Sequence, residues 1–553
     1  MTRMSYHTLQ GASKACLQMP RCRGVDVEEM SIMQLQESLT KALFTSQDLV
    51  QCYLRRIELV NSHVKAVTET NSDALEIALK SDQERKSGRI RSHLHGIPFL
   101  VKDNIATKDS MRTAAGSAAL AETIVASDAR VVALLREAGA VLLGKTNLSE
   151  FASMRASYYA EGYSSQGGQN RNPYNLAHHA GGSSSGSASS VTSNMCAFSI
   201  GTETDGSVMF PADRNAVVGI KPTVGLTSTQ GVIPESPSMD TVGVFGRSVQ
   251  DAALVLDVVC ERHKTSKGAA HKPYKSFVCK QNVLKGARFG MPYNRVWEAA
   301  SKNSHRRVEY DTLMEVIRNL EEAGAQVIRA ELPSAEEIIS PAGWDWEYAE
   351  GKTGSALSEF EVVRMEFYDS LQQYLSQLEK NPKRIFSLED VVAYNIENTT
   401  REGGIPGTHP AWPTGQDNFD KCLESKDWPK QRHAEALAYI QRKSREEGID
   451  AALRQEGEPL DGLLVPLQAD RGVACSVAAK AGYPMITIPV GVNAAGVPFG
   501  IGIIQTAFKE DLLVKYGSAI EDLLGPRARP HFLNFEADNY PYIGAKPENQ
   551  AKL

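Results

Sequence analysis

Apolar residues recur three and four positions apart through residues 30–64, which is the spacing of one face of an α-helix. The second half of this segment can begin at Thr45 or Ser46, because either hydroxyl can cap a first turn. The apolar positions on the face are Leu35, Leu39, Leu43, Leu49, Tyr53, Ile57 and Val60. The pattern therefore predicts a long helical segment near the start of the chain.

Short apolar runs then alternate with helical patterns along most of the chain. The predicted strands are 97–101, 140–143, 196–200, 463–465, 485–490 and 499–504. The predicted helices are 128–138, 188–193 and 249–259, the last of them capped by Ser248. Strands and helices that alternate in this way indicate an α/β fold built around one large sheet.

Residues 333–445 interrupt that alternation, because they are mostly polar and helical in pattern. They also hold four of the five tryptophans, which are Trp344, Trp346, Trp412 and Trp428. Since strand patterns return after this segment, we interpret it as a helical insertion in one continuous core. The predicted organisation is an N-terminal extension at 1–26, a main domain at 27–540 with the insertion, and a tail at 541–553.

Composition narrows the classes of function. The chain has a formal net charge of -6 and no block of basic residues, so no nucleic-acid partner is expected. No apolar run reaches the length of a membrane span, which favours a soluble enzyme. The eight cysteines and twelve histidines show no metal-binding spacing, so neither a metal nor an organic cofactor is expected. A cytoplasmic location follows, or a peroxisomal one if Ala551-Lys552-Leu553 acts as an import signal.

Three stretches of small and polar residues follow predicted strands or join them. They are Val101-Lys102-Asp103-Asn104-Ile105, Gly181-Gly182-Ser183-Ser184-Ser185-Gly186-Ser187 and Gly201-Thr202-Glu203-Thr204-Asp205-Gly206-Ser207. Taken singly, a Gly/Ser run is most often a flexible loop, and a lysine at a strand end is most often a solvated charge. Their order, spacing and flanks carry more information than any one of them.

Together these stretches resemble the amidase signature family of hydrolases. The resemblance runs from about residue 27 to 525 and is weakest over the insertion. It includes the flanking motifs His95-Gly96-Ile97-Pro98, Ala115-Gly116-Ser117, Gly144-Lys145-Thr146-Asn147, Ala481-Gly482-Tyr483-Pro484 and Val497-Pro498-Phe499-Gly500. It implies a single mixed β-sheet covered by helices on both faces, and hydrolysis of a carboxylic amide or ester of small-molecule size. A homodimer is a candidate assembly.

The resemblance also assigns a Ser–Ser–Lys relay. Lys102 matches the family's catalytic lysine, Ser183 matches the bridging serine on a cis peptide, and Ser207 matches the nucleophile that forms an acyl-enzyme. Elementary chemistry agrees, because a serine hydroxyl needs a base and a lysine acts as one only when it is neutral. Lowering its pKa by about three units from about 10.4 requires a dry site, at about 1.4 kcal/mol per unit.

The surroundings of the relay lead to three further predictions. The apolar strand before Lys102 supplies dry walls, and alternation along it turns Asp103 to the opposite face. Consecutive backbone N–H groups of Thr204, Asp205, Gly206 and Ser207 form an oxyanion hole. Ser184 supports the relay by hydrogen bonding.

Some positions depart from the family's common pattern. Asp205 replaces a glycine before the nucleophile, so its carboxyl group must point away from the oxyanion hole or be neutralised. Met209 stands where an arginine is common, and Arg214 is a candidate to replace that arginine. Ser185 replaces a common glycine in the Gly/Ser loop.

Several alternatives stay open at the level of sequence. Ser184 also satisfies GxSxG, but no apolar strand precedes it as a nucleophile elbow requires. The chain could instead be the glutaminase subunit of an amidotransferase, or a catalytically silent binding protein. Phe151 and Met154 are candidate substrate-pocket residues. The aromatic residues Tyr348, Phe367 and Tyr368 either line that pocket or form the insertion's own core.

Overall fold

The main feature of the fold is an eleven-stranded mixed sheet. A computed structural model describes residues 17–261, 272–334, 357–454 and 459–534. The strands of the sheet are β1 Val67–Thr70, β2 Pro98–Lys102, β3 Val141–Thr146, β6 Phe198–Glu203, β7 Val218–Lys221, β8 Thr241–Gly246, β9 Arg288–Pro292, β10 Gln326–Ala330, β11 Gly462–Pro466, β12 Met485–Val492 and β13 Pro498–Ile504. A separate hairpin pairs β4 Tyr163–Ser164 with β5 Gly168–Gln169.

Helices connect and cover these strands. Up to the insertion they are α1 Ile32–Thr40, α2 Ser46–Val64, α3 Ala74–Lys86, α4 Arg130–Glu137, α5 Ser185–Thr192, α6 Met209–Arg214, α7 Val249–Val259, α8 Glu298–Lys302 and α9 Arg307–Glu322. From the insertion onward they are α10 Glu359–Leu375, α11 Leu388–Glu397, α12 Thr399–Glu402, α13 Asp417–Glu424, α14 Lys430–Ser444, α15 Asp450–Leu453, α16 Val473–Ala481 and α17 Glu510–Leu524. None of the helices in the described ranges is both long and apolar enough to cross a bilayer.

Parallel pairing places three strand ends at one edge of the sheet. The strand order is β1-β3-β2-β6-β8-β7-β12-β13-β11-β9-β10. Strand β2 lies between β3 and β6 and is parallel to both, so the carboxyl ends of these strands lie side by side. The remaining inner strands are antiparallel, and β9, β10 and β11 are again parallel. The predicted α/β class with a large mixed sheet is confirmed.

The long helical segment predicted at the start is two helices. Lys41 caps the end of α1, and Thr45 begins α2 with a capping box in which Asp48 is the partner. Thr45 is one of the two caps that the sequence allowed, whereas Leu43, a predicted face position, lies in the turn between the helices and is 48% exposed. Ser248 accepts a hydrogen bond from the N–H of Asp251 and caps α7.

The Gly/Ser-rich loop ends earlier than the sequence suggests, because helix α5 begins at Ser185 rather than at residue 188. Small residues are needed there because the helix packs closely against the chain around it. A Cβ atom on Gly186 would lie 2.3 Å from the carbonyl oxygen of Ala66 and 2.5 Å from the backbone nitrogen of Asn147.

Helices fill the described part of the predicted insertion. Helix α10 lies against α13 and α14 through a buried apolar cluster that includes Phe360, Phe367 and Phe419. Trp412 is buried beside Arg155, and Trp428 stacks on Arg364 and Arg432. Trp344, Trp346, Tyr348 and the C-terminal Ala551-Lys552-Leu553 lie outside the described residues. The domain boundaries stay a prediction.

Candidate active site

Lys102 is the last residue of β2 and is completely buried. Its Nζ donates to the Ser183 Oγ at 2.7 Å, to the Thr202 Oγ1 at 2.9 Å and to the Thr202 carbonyl oxygen at 3.2 Å. Asn104 donates to the same Thr202 hydroxyl at 3.0 Å. The amine of Lys102 is therefore held by neutral hydrogen-bond partners, and the nearest of them is the Ser183 hydroxyl.

Burial lowers the pKa of Lys102 to about 7, against the opposing effect of Glu235, Asp240 and other carboxyl groups nearby. The apolar residues that precede it on β2 exclude water and disfavour the ammonium form. Above this pH the amine is mostly neutral, and its lone pair is available to accept a proton. Such a lysine can act as a base at physiological pH.

The Asp103 carboxylate turns away from this lysine. Asp103 accepts the N–H of Gly116 at 2.8 Å, and burial raises its pKa to about 6. This is the arrangement expected from strand alternation, which places neighbouring side chains on opposite faces.

Ser183 follows a cis peptide bond from Gly182. Its carbonyl oxygen accepts the N–H of Ser149 at 3.1 Å, and the N–H of Ser184 donates to the carbonyl oxygen of Ser207 at 3.1 Å. The Ser184 hydroxyl donates to the Thr202 carbonyl oxygen at 2.9 Å. The three polar stretches, which lie far apart in sequence, thus meet at the ends of β2 and β6.

The backbone around Ser207 presents a row of N–H groups. Within the described ranges, the N–H groups of residues 204–207 donate to no protein acceptor. Those of Val208 and Met209 are bound by the buried Glu203 carboxylate at 2.7 and 3.0 Å. Gly206 has a φ of +75°, and a Cβ there would overlap the Phe210 ring at 2.1 Å. Only glycine fits this turn without displacing the Phe210 ring.

A pair of buried carboxyl groups holds Thr204. The Thr204 hydroxyl lies 2.8 Å from the Glu235 Oε2 and 2.5 Å from the Asp240 Oδ1. Burial is the main cause that raises the pKa of both acids. Neither acid was identified from the sequence, because an isolated Glu and an isolated Asp in the 234–241 segment carry no recognisable motif.

Glu161 is a further buried acid that sequence reasoning did not identify. Its carboxylate accepts the Ser149 hydroxyl at 2.5 Å and lies 3.2 Å from the Tyr159 hydroxyl. Burial raises its pKa. A Cβ atom on Gly182 would overlap the Glu161 carboxylate at 1.7 Å, so glycine before Ser183 leaves room for this side chain.

The structure also places the residues that depart from the family's common pattern. Arg214 donates to the carbonyl oxygen of His179 at 3.3 Å, and burial lowers its pKa to about 10. Met209 is buried, and its sulfur accepts the Thr487 hydroxyl at 3.3 Å. Asp205 faces the Lys480 ammonium, with 3.8 Å between Oδ2 and Nζ. The Asp205 carboxylate is thus neutralised by a lysine from a distant part of the sequence.

Phe151 and Met154 lie in the apolar cluster that the insertion helices form. Phe151 makes edge contacts with Phe419 at 5.3 Å and Phe367 at 6.3 Å between ring centroids. Both predicted pocket residues are buried. They connect the insertion to the main core, and their role in a substrate pocket stays a prediction.

A family model and a curated relative both match this chain to amidases. The sequence matches the amidase family over residues 48–400. It is 47% identical over 537 residues to a Schizosaccharomyces pombe protein assigned as an amidase, and the alignment covers 95% of this chain and 90% of that protein. The chain belongs to the amidase family and is a hydrolase that acts on carbon–nitrogen amide bonds.

A solved structure and a more distant relative extend the comparison. The fold is similar to that of native peptide amidase from Stenotrophomonas maltophilia, with a TM-score of 0.80, 36% identity and coverage of 91% of this chain and 99% of that one. The chain is also 30% identical over 499 residues to one component of the glutamyl-tRNA(Gln) amidotransferase of Acinetobacter baumannii, covering 88% of this chain and 95% of that protein.

Proposed function

We propose that this hydrolase cleaves a carboxylic amide through an acyl-enzyme on Ser207, with Lys102 as the base and Ser183 as the proton relay. The observation that carries the proposal is the 2.7 Å hydrogen bond between the buried Lys102 amine and the Ser183 hydroxyl. The backbone hydrogen bond between Ser184 and Ser207 brings the third residue to the same turn.

In the first step, the Ser207 oxygen attacks the amide carbonyl carbon. Its proton passes to the Ser183 oxygen, while the Ser183 proton passes to Lys102. The negative charge that develops on the carbonyl oxygen is stabilised by the open N–H groups of residues 204–207. Breakage of the carbon–nitrogen bond then releases ammonia or an amine, which takes a proton back through Ser183.

In the second step, water attacks the ester that joins the acyl group to Ser207. The same relay accepts the proton of this water, and the carboxylate product leaves as the serine is restored. Ser184 supports the relay from outside, because its hydroxyl is committed to the Thr202 carbonyl oxygen. This commitment also makes Ser184 a poor candidate for the nucleophile.

The activity of the wild-type enzyme should rise with pH through the titration of Lys102. Because the pKa of this amine is lowered to about 7, the base is protonated below that value and neutral above it. We expect log kcat/KM to increase with a slope near one below about pH 7 and to level off above it. Measurement from pH 5.5 to 9 on one stable amide provides the profile. A flat profile, with the chemical step shown to limit the rate, would contradict the role of Lys102.

A substrate screen tests the reaction itself. The assay compares peptide amides, short aliphatic amides, aromatic amides, long-chain amides and the matching esters. Peptide amides form the first arm because the structural relative from Stenotrophomonas maltophilia is named a peptide amidase. Release of ammonia or amine by the wild type, and its absence in Ser207→Ala, supports the proposal. Failure of every amide to react would contradict it.

Free glutamine coupled to an amidotransferase partner is a second candidate reaction. It is supported by the 30% identity to the amidotransferase component, which is well below the 47% identity to the assigned amidase. Hydrolysis of simple amides by the isolated chain favours the first candidate. Activity that appears only with a partner protein favours the other.

Location and assembly are also proposed. We infer an enzyme that acts on small-molecule amides in the cytoplasm, or in peroxisomes if its last three residues direct import, as a monomer or a homodimer. Microscopy of the full chain with an N-terminal fluorescent tag, with and without Ala551-Lys552-Leu553, distinguishes the two locations.

A further inference from the structure

Asp205 places a carboxylate next to the groups that are proposed to stabilise an oxyanion. Its side chain is 6% exposed, and its Oδ2 has no hydrogen-bond partner within the described residues. Negative charge at this position opposes the negative charge that develops during amide hydrolysis, and burial strengthens the repulsion. The site therefore needs a group that fixes and balances Asp205.

Lys480 is that group, and Glu359 contacts it. The Lys480 Nζ lies 2.7 Å from the Glu359 Oε2 and 3.8 Å from the Asp205 Oδ2, and both Lys480 and Glu359 are fully buried. Lys480 belongs to the last turn of α16, and Glu359 is the first residue of α10. The cluster thus joins residues 204–207, the nucleophile loop, to the C-terminal part of the core and to the insertion.

The protonation of Glu359 decides how the charges balance. Burial, followed by the nearby Asp205 carboxylate, raises the pKa of Glu359 to about 8. The raised pKa favours the uncharged form of Glu359 at neutral pH, which leaves Asp205 as the carboxylate that Lys480 faces. Glu359 then acts as a neutral acceptor that holds the ammonium in place.

Helix α10 also contacts the segment whose acids bind Thr204, at the start of the nucleophile loop. Glu366, seven residues after Glu359 on α10, accepts the Ser236 hydroxyl at 2.6 Å and the Ser238 N–H at 3.0 Å. The segment that contains these serines begins and ends with Glu235 and Asp240, the two acids that bind Thr204. Helix α10 is therefore linked to Asp205 through Lys480, and to Thr204 through the segment 235–240.

We propose that Glu359, Lys480 and Glu366 are positioning residues that hold the loop at 204–207 in its reactive geometry from the insertion helix α10. This inference rests on the proposed function, because it takes that loop to be the oxyanion hole. The insertion then contributes to the chemical step as well as to the shape of the enzyme.

The test compares Glu359→Ala, Glu359→Gln and Glu366→Gln with the wild type. Each preparation is titrated with a fluorophosphonate, and kcat and KM for one small amide are expressed per labelled site, so misfolded molecules do not count. Glu361→Gln is the matched control, because Glu361 is a buried carboxylate on the same helix but bonds Arg432 within the insertion.

We expect Glu359→Ala to lower kcat per labelled site at least about tenfold, with KM within about threefold, because the oxyanion forms only after binding. Glu359→Gln should recover most of the rate, since its amide oxygen still accepts from Lys480. Glu366→Gln should lower kcat by a smaller factor, because its amide keeps one acceptor for the serines. Glu361→Gln should match the wild type per labelled site.

Three outcomes are decisive. Unchanged kcat per labelled site in both Glu359→Ala and Glu366→Gln overturns the inference and leaves the proposed function intact. An equal loss in Glu359→Ala and Glu359→Gln also overturns it, because it removes the specific role of the Lys480 contact. If the wild type neither hydrolyses amides nor reacts with the probe, it is the proposed function that fails.

Discussion

Replacing Ser207 by alanine is expected to lower kcat for amide hydrolysis by at least about 10⁴-fold, because no acyl-enzyme can form without its oxygen. Binding of substrate should change little, since the backbone N–H groups of the loop remain. The side chain is small and nearly buried, so its loss leaves the loop turn at Gly206 and the hydrogen bond from Ser184 in place. Steady-state kinetics and a binding measurement on the inactive variant check both parts.

Ser190→Ala is a matched control for this substitution. Ser190 is an equally buried serine on α5 that donates to the carbonyl oxygen of Ser187 at 2.9 Å and lies outside the relay. It should retain kcat within a few-fold of the wild type. If Ser207→Ala, folded and free of contaminating activity, also retained wild-type kcat, another residue would have to be the nucleophile.

Replacing Lys102 by methionine is expected to lower kcat/KM by at least about 10³-fold and to remove the rise in activity through about pH 7. Methionine matches the length and apolar character of the lysine stem, so the buried site at the end of β2 stays filled. The Ser183 hydroxyl loses the amine to which its proton would pass, so proton transfer from Ser207 has no base to complete it. A pH–rate profile of the residual activity distinguishes this loss from a general loss of fold.

Lys145→Met controls for the loss of any buried lysine. Lys145 lies on the neighbouring strand β3, donates to the Thr113 hydroxyl at 2.9 Å, and its pKa is lowered by burial to about 8. It should keep the pH dependence of the wild type and kcat/KM within about tenfold, because its contacts are structural. Equal losses in the two variants, with the same pH profile, would refute the assignment of Lys102 as the base.

Much of the site was predictable because its residues come from three short stretches with recognisable order. Lys102 could be placed at a strand end from the apolar run before it, and the Gly-Gly pair marked the turn before Ser183. Parallel pairing of β2 with β6 then brings the strand ends together, as expected for an α/β sheet. The fold class followed from the same alternation of strands and helices.

The partners of Asp205 could not be predicted in this way. The sequence predicted that the Asp205 carboxyl group must point away or be neutralised, but it did not indicate by which residues. Its buried partners, Lys480 and Glu359, lie 275 and 154 positions away in the sequence. Neither belongs to a motif, and a lysine in an alanine-rich helix has no local sign of burial. Such charge balance depends on tertiary packing, which periodicity and spacing do not report.

Covalent labelling tests most directly whether Ser207 is a nucleophile activated by Lys102. Reaction with a fluorophosphonate forms an oxygen–phosphorus bond at the reactive serine and releases fluoride. Mass spectrometry of the folded wild type should show one adduct on the peptide that contains Ser207, formed faster as pH rises through about 7. The adduct should be absent in Ser207→Ala and formed far more slowly in Lys102→Met. An adduct on another serine, or equal labelling of Lys102→Met and the wild type, would contradict the claim.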